Sequence, residues 1–212
     1  MVICNMKSKE NQKILPFLLL LTLCSFSLFA QDDVLNKIYL DLIEKYDSIK
    51  TYEADFIQEN FWKEIDTAKT SYGKIYYDSC FLLMEYSEPE GQKLLIDSLS
   101  VTIYDAASNQ VLISNKNDYE LKPISIISEY WANSQKELLE NNENEIQIKL
   151  ITPENEQFLI RIKDNLIIEI QLFDNSENMV KYSFSEERIN KQLSKEIFEL
   201  KLPEDVNVID NR

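Results

Sequence analysis

Thirty-seven carboxylates, three cysteines and no histidine are what this 212-residue sequence offers for chemistry. Without histidine there is no Ser–His or Cys–His nucleophile, no histidine-ligated zinc, and no side chain that ordinarily titrates near neutral pH. The carboxylates could in principle work as an acid and nucleophile pair of the glycosidase kind, which needs two acids at a set separation in a cleft. Among so many acids no pair is marked out by spacing, so no catalytic residue, metal site or cofactor is expected. Two glycines leave no room for a phosphate-cradling loop or a dinucleotide fingerprint. A net charge of −15 argues against binding nucleic acid or an anionic membrane surface unaided.

The residues with a pattern are apolar. Tyr52, Ala54, Phe56 and Gln58 alternate with Glu53, Asp55 and Glu59. The same period of two recurs in Leu82/Met84/Tyr86, Ile146/Ile148/Leu150, Phe158/Ile160/Ile162, Leu166/Ile168/Ile170/Leu172, Val180/Tyr182/Phe184 and Phe198/Leu200/Leu202. This is the signature of antiparallel strands with one apolar and one wet face. Polar links such as Asp174-Asn175-Ser176-Glu177 predict hairpins. About ten strands would then present one long apolar face. Either the sheet closes on itself as a filled core, or it curves around an apolar pocket beneath a helical lid. Periodicity is compatible with both.

The elements that must hold this face come from three other stretches. From Asp33 to Ile49, Leu35, Ile38, Tyr39, Leu42, Ile43, Tyr46 and Ile49 form one stripe at helical spacing, with Asp32 or Asp33 available as N-cap. Pro123–Ala132 is apolar and too irregular for a clean strand, and Ser134–Asn141 is helix-like, with Ser134 and Glu137 in capping-box spacing. Together they read as one or two short helices lying across the sheet. Upstream, Lys7, Lys9 and Lys13 precede an uncharged run from Ile14 to Ala30, the layout of a secretory signal with cleavage near Ala30. The expected organisation is therefore a signal peptide over 1–30 and a single domain over 31–212. Removing the signal takes away three lysines and Glu10, so −15 becomes −17. It also removes Cys4 and Cys24, leaving Cys80 alone, without an internal disulfide partner and read as a small buried hydrophobe.

Several stretches resemble the LolA-type periplasmic lipoprotein carrier family. They are YEADFIQEN (Tyr52–Asn60), GKIYYDSCFLLMEYSEPEGQKLLID (Gly73–Asp97), SVTIYDAASNQV (Ser100–Val111) and FELKLPEDVNVIDNR (Phe198–Arg212). The resemblance implies a mainly β (α+β) fold: an unclosed antiparallel β-barrel, or strongly curved sheet, with a helical lid around an apolar cavity. It implies a periplasmic monomer without enzyme activity or nucleic-acid binding. Such a carrier takes acylated lipoproteins from an ATP-driven, ABC-type extractor in the inner membrane and hands them to an outer-membrane acceptor. A carrier or sensor of another lipid or glycolipid of the cell envelope is the alternative.

Residue by residue, the resemblance implies an acyl-chain cavity lined by Phe56, Leu82, Met84, Tyr86, Val101 and Ile103, although the opposite parity (Thr102, Tyr104) is open for the last pair. It implies a lid carrying Ile124, Ile127 and Trp131. Three departures stand out. The basic residue tied to lid closure is missing from Asp78-Ser79-Cys80. Leu83 stands where many members carry arginine. The family's Asp-Gly turn is replaced by Asp97-Ser98-Leu99.

Overall fold

The computed structural model describes residues 32–116, 124–142 and 145–212. The expected signal peptide lies outside the described residues. The chain divides into two compact units, 1–40 and 41–212. In the first, residues 32–40 are helical and Leu35 and Ile38 are buried. In the second, the helix runs on to residue 47 (α1, 32–47), and Leu42, Tyr46 and Ile49 are buried. These are positions of the stripe read from the sequence.

Twelve strands follow among the described residues. They are β1 (Thr51–Trp62), β2 (Thr67–Asp78), β3 (Leu82–Glu88), β4 (Lys93–Ile96), β5 (Ser100–Asp105) and β6 (Gln110–Asn115), then β7 (Gln135–Asn141), β8 (Ile146–Ile151), β9 (Gln157–Lys163), β10 (Leu166–Phe173), β11 (Met179–Ile189) and β12 (Asn207–Asp210). Helix α2 (Ile124–Asn133) stands between β6 and β7. All twelve belong to one sheet in the order β12-β6-β5-β4-β3-β2-β1-β11-β10-β9-β8-β7, whose end strands do not pair, so the barrel stays open.

Two expected elements differ. Ser134–Asn141 is not a helix: Gln135–Asn141 is strand β7, paired with β8. The capping-box spacing is outweighed by the free edge of β8, whose backbone groups find partners only if the next segment is extended. A register shift between Leu138 and Glu140 follows, and Leu139 is left exposed. The Phe198–Leu202 stretch is not a strand either. Lys195–Phe198 is a 3₁₀ turn, and the closing strand is β12, which joins β6 in parallel, the one departure from an antiparallel sheet. The chain leaves β11 in mid-sheet and adds β12 at one edge, so residues 190–206 must cross the strands between. Buried Phe198 stacks on Phe81 along that path, ring centroids 5.4 Å apart.

With two glycines, of which Gly91 serves the β3–β4 turn at φ 81°, most turns are made by other residues. Asp78 Oδ1 accepts the N–H groups of Cys80 and Phe81, and Asp97 Oδ1 those of Leu99 and Ser100. Asp174 Oδ1 does the same for Ser176 and Asn178. Besides Glu177 and Glu186, positive φ angles fall on Asp66, Asn109, Asn155, Asp164, Asn165 and Asn190, residue types whose side chains hydrogen-bond locally and tolerate that conformation. Asp78 and Asp97, which interrupt the family pattern, are thus turn formers. Cys80 sits in the first of these turns and is exposed, which corrects its reading as a buried hydrophobe.

Cross-strand pairs decide which residues share a face, because directly opposed residues project to the same side. One such row runs from Leu112 (β6) through Ile103, Leu94, Met84, Ile75 and Ala54 toward Phe184 and Tyr182 (β11), then Ile170, Ile160 and Ile148 (β8). The opposite face carries ion pairs across strands: Lys74–Asp55, Lys93–Glu85, Lys181–Glu59 and Arg188–Glu53. Arg161 bridges Glu145 (Nη2–Oε2 2.9 Å) and Glu169 (Nη1–Oε2 3.1 Å). Hydrogen bonding to Arg161 holds Glu145 below the usual carboxylate range. Glu169 is 9% exposed, so Arg161→Met would leave a covered carboxylate short of its cation. We expect a loss of about 1–2 kcal/mol in urea unfolding at pH 7, tempered by the partial exposure of Arg161.

Candidate functional site: an apolar cavity on the inner face

A cavity of about 300 Å³ opens on the apolar row. Its walls are Ile75 (β2), Leu82 and Met84 (β3), Leu94 and Ile96 (β4) on one side, and Ile167, Ile170, Leu172, Tyr182 and Phe184 (β10 and β11) on the other, with Tyr46 and Tyr52 at one end. That volume is at the lower edge of small-molecule sites, roughly 300–1,000 Å³. Among the described residues no charged side chain lines it. Thioether and branched aliphatic side chains beside flat rings make a wall that adapts to a chain-like ligand.

Of the residues expected in the cavity, Leu82 and Met84 line it. Phe56 and Tyr86 share its face but are packed against one another, rings 5.0 Å apart and edge-on, across Gly73 of β2. The Tyr86 hydroxyl donates to Gln58 Oε1 at 2.8 Å, and Phe56 is only 2% exposed. They fill space beside the cavity and do not line it. Val101 and Ile103 pair with Ile96 and Leu94 and so project to the cavity face, while Tyr104 is buried on the other. They stand one strand beyond its wall, with Ile103 37% exposed. Ile124, Ile127 and Trp131 are buried in α2. That helix meets the sheet through Tyr130 against Phe158 (4.1 Å between centroids), and Phe158 is the cross-strand neighbour of Leu172 in the cavity wall.

The sequence reading missed Tyr46, Tyr52, Ile75, Leu94, Ile96, Ile167 and the walls from β10 and β11 as lining. Ile75, Leu94 and Ile96 follow from Met84 and Leu82 once the pairing is known. Ile167 does not, because a register shift between Ile167 and Glu169 reverses the alternation that Leu166, Ile168, Ile170 and Leu172 suggest.

A family model described as the outer membrane lipoprotein carrier protein LolA matches residues 47–201. The chain belongs to this family. It is 25% identical over 178 residues to an outer-membrane lipoprotein carrier protein of Francisella philomiragia, covering 80% of this chain and 87% of that one. Two solved structures show the fold alone. An uncharacterized conserved protein of Thermus thermophilus has a TM-score of 0.51 at 15% identity, covering 82% of this chain and 98% of its own. MucB in the Pseudomonas aeruginosa MucA/MucB complex has 0.51 at 11% identity, covering 76% of this chain and 59% of that one.

Leu83 is 1% exposed and alternates with Leu82 and Met84, so its side chain lies on the face away from the cavity. A charge there would be buried and could not reach the cavity.

Beside the tyrosine end stands a carboxyl with a raised pKa, Glu187. Burial pushes Glu187 upward, a hydrogen bond from Tyr52 pulls it down, and Asp164 nearby raises it further, with a net rise. Burial also lifts Tyr46, to about 12, against the pull of the backbone N–H of Ile167. A carboxyl whose folded pKa is raised favours the protonated fold. Its contribution is fully present below the ordinary glutamate value and is lost as pH rises through the folded value. Glu187→Gln should therefore raise the melting temperature at pH 7 and have little effect at pH 4. A scan of both proteins across that range checks the sign.

Proposed function

We propose that the chain is a periplasmic chaperone that covers the acyl chains of lipoproteins in this cavity and carries them from the inner to the outer membrane. Family membership and the uncharged, largely aliphatic wall between β2–β4 and β10–β11 support this reading, the wall above all. Each methylene kept from water is worth about 0.8 kcal/mol, so a sixteen-carbon chain exposed to the aqueous gap costs on the order of 10 kcal/mol. A carrier must cover that surface and still release it, which suits an open sheet better than a closed barrel. In this reading residues 1–30 are a cleaved signal and residues 31–212 act as one domain. The protein works as a monomer without cofactor or catalysis. An ABC-type extractor loads it, and an outer-membrane acceptor unloads it. The acidic surface keeps it soluble and off anionic membranes.

Mass spectrometry of the protein purified from its native periplasm tests this. Co-purified triacylated lipoprotein is the expected result. A free glycolipid in its place would make the chain a carrier of another envelope lipid, and no amphiphile at all would count against both.

A further inference from the structure

Strand β11 does not keep one alternation along its length. Phe56 faces Phe184 and Asp55 faces Ser185, but Glu53 faces Arg188 and Tyr52 faces Ile189, so Ala54 is opposite two residues, Glu186 and Glu187. Glu186 takes the extra residue of this bulge with φ of 54°, a conformation that costs a non-glycine residue free energy. Bulges re-aim side chains beside functional sites. Continued alternation from Tyr182 and Phe184 would bring Glu186 and Arg188 inward. The bulge instead leaves Arg188 outside, paired with Glu53, and turns Glu187 to the side of Tyr52.

Glu187 is half-buried there against small Ala54. Its carboxylate accepts a hydrogen bond from the Tyr52 hydroxyl. Its Oε1 atom is covered and has no hydrogen-bond partner among the described residues. Beside it the Tyr46 hydroxyl accepts the Ile167 N–H at 3.2 Å and retains its own proton to donate. Lys163 and Asp164, of the β9–β10 turn, are the other charged groups acting on Glu187. Tyr46 and Tyr52 both line the cavity. The apolar cavity therefore ends in two phenols, one of them hydrogen-bonded to a carboxylate with a spare acceptor that a strained bulge delivers.

We propose that this end of the cavity recognises the hydrogen-bond-donating polar end of an amphiphile, a hydroxyl or an amine, through Glu187 Oε1 as acceptor. The inference rests on the reading of the cavity as an acyl-chain site and adds to it a preference for what the chain is attached to. A covered carboxylate oxygen without a donor is costly, and a ligand donor would remove that cost. An amphiphile lacking a donor would leave it in place.

The test is displacement of N-phenyl-1-naphthylamine from the full chain by three twelve-carbon amphiphiles: 1-monolauroylglycerol, dodecylamine and methyl laurate. The native protein should bind at least one of the two donors roughly tenfold more tightly than the methyl ester. The glycerol ester and the amine separate a neutral donor from a cation. Glu187→Leu should lose that preference while binding methyl laurate as before, and circular dichroism verifies its fold. Glu187→Gln, which keeps the shape, should retain part of the preference for the glycerol ester. Equal affinity for all three in the native protein, or a preference that survives in folded Glu187→Leu, overturns the proposal. Displacement by none of the three overturns the cavity reading itself and this inference with it.

Discussion

Gly73→Ala should destabilise the protein by about 3 kcal/mol and lower its melting temperature by roughly 10 °C. A Cβ at this position would lie 2.3 Å from the carbonyl oxygen of Glu85, in the backbone of β3, and 2.7 Å from Cζ of Phe56. The ring could shift by rotating its side chain, but the carbonyl belongs to a strand and cannot move without its ladder. Relief is also blocked from the far side, because Phe56 and Tyr86 meet directly over Gly73. The β2–β3 register already shifts between Tyr72 and Gly73, so the strand has no slack there. Gly91 needs its glycine for another reason, a φ of 81°. Alanine there should cost less, about 1 kcal/mol, from backbone strain together with a Cβ placed 2.8 Å from Cβ of the partly exposed Ala106, outside the packed core. Urea unfolding of the two variants beside the native protein checks the order. A Gly73→Ala protein as stable as Gly91→Ala would show that the aromatic pair does not depend on close approach.

That glycine marks how much of the site could be read beforehand. The strand alternation was legible because inner and outer faces differ in kind: Leu82, Met84 and Ile75 against Glu85, Lys74 and Asp55. The turn at Asp174 was legible for a related reason, since its carboxylate does locally what glycine does elsewhere, whereas Asp78 and Asp97 were read only as departures from the family pattern. Bulges were not. The shifts at Ile167/Glu169 and Glu53/Asp55 add one residue on one strand, and they exchange which of Ile167 and Ile168, or of Glu187 and Arg188, faces inward. Nothing in a run such as LIIEIQLF reveals such a shift, because both faces of that strand are apolar near its start.

The same limit applies to partners. Ser134–Asn141 has a helix-start signal and no strong alternation, and only the unpaired edge of β8 makes it a strand. Phe56 and Tyr86 were expected to line the cavity because their parity is right. Parity sets the face but not whether a neighbour covers the residue, and here each covers the other. Ile124, Ile127 and Trp131 are apolar at helical spacing, and that spacing is the same for a helix that packs on a sheet and for one that closes a cavity.

Met84→Glu is the substitution that should separate binding from folding most sharply. Met84 lines the cavity between Ile75 and Leu94, its cross-strand neighbours. In the empty protein a carboxylate here borders open space and can be hydrated, so the fold should survive with a modest loss of stability. When an acyl chain or apolar dye fills the cavity, the same carboxylate must give up that water with no cation beside it, at a cost of several kcal/mol. Binding of N-phenyl-1-naphthylamine should therefore weaken by at least a hundredfold. Ile57→Glu is the matched control. Ile57 is paired with Tyr72 and Ser183 on the other face and is already partly exposed, so a charge there should leave binding unchanged. If folded Met84→Glu bound the dye like the native protein while Ile57→Glu did not, the ligand face of the sheet would be the one carrying the ion pairs. If neither changed binding, the dye would sit outside the β2–β4 and β10–β11 walls altogether.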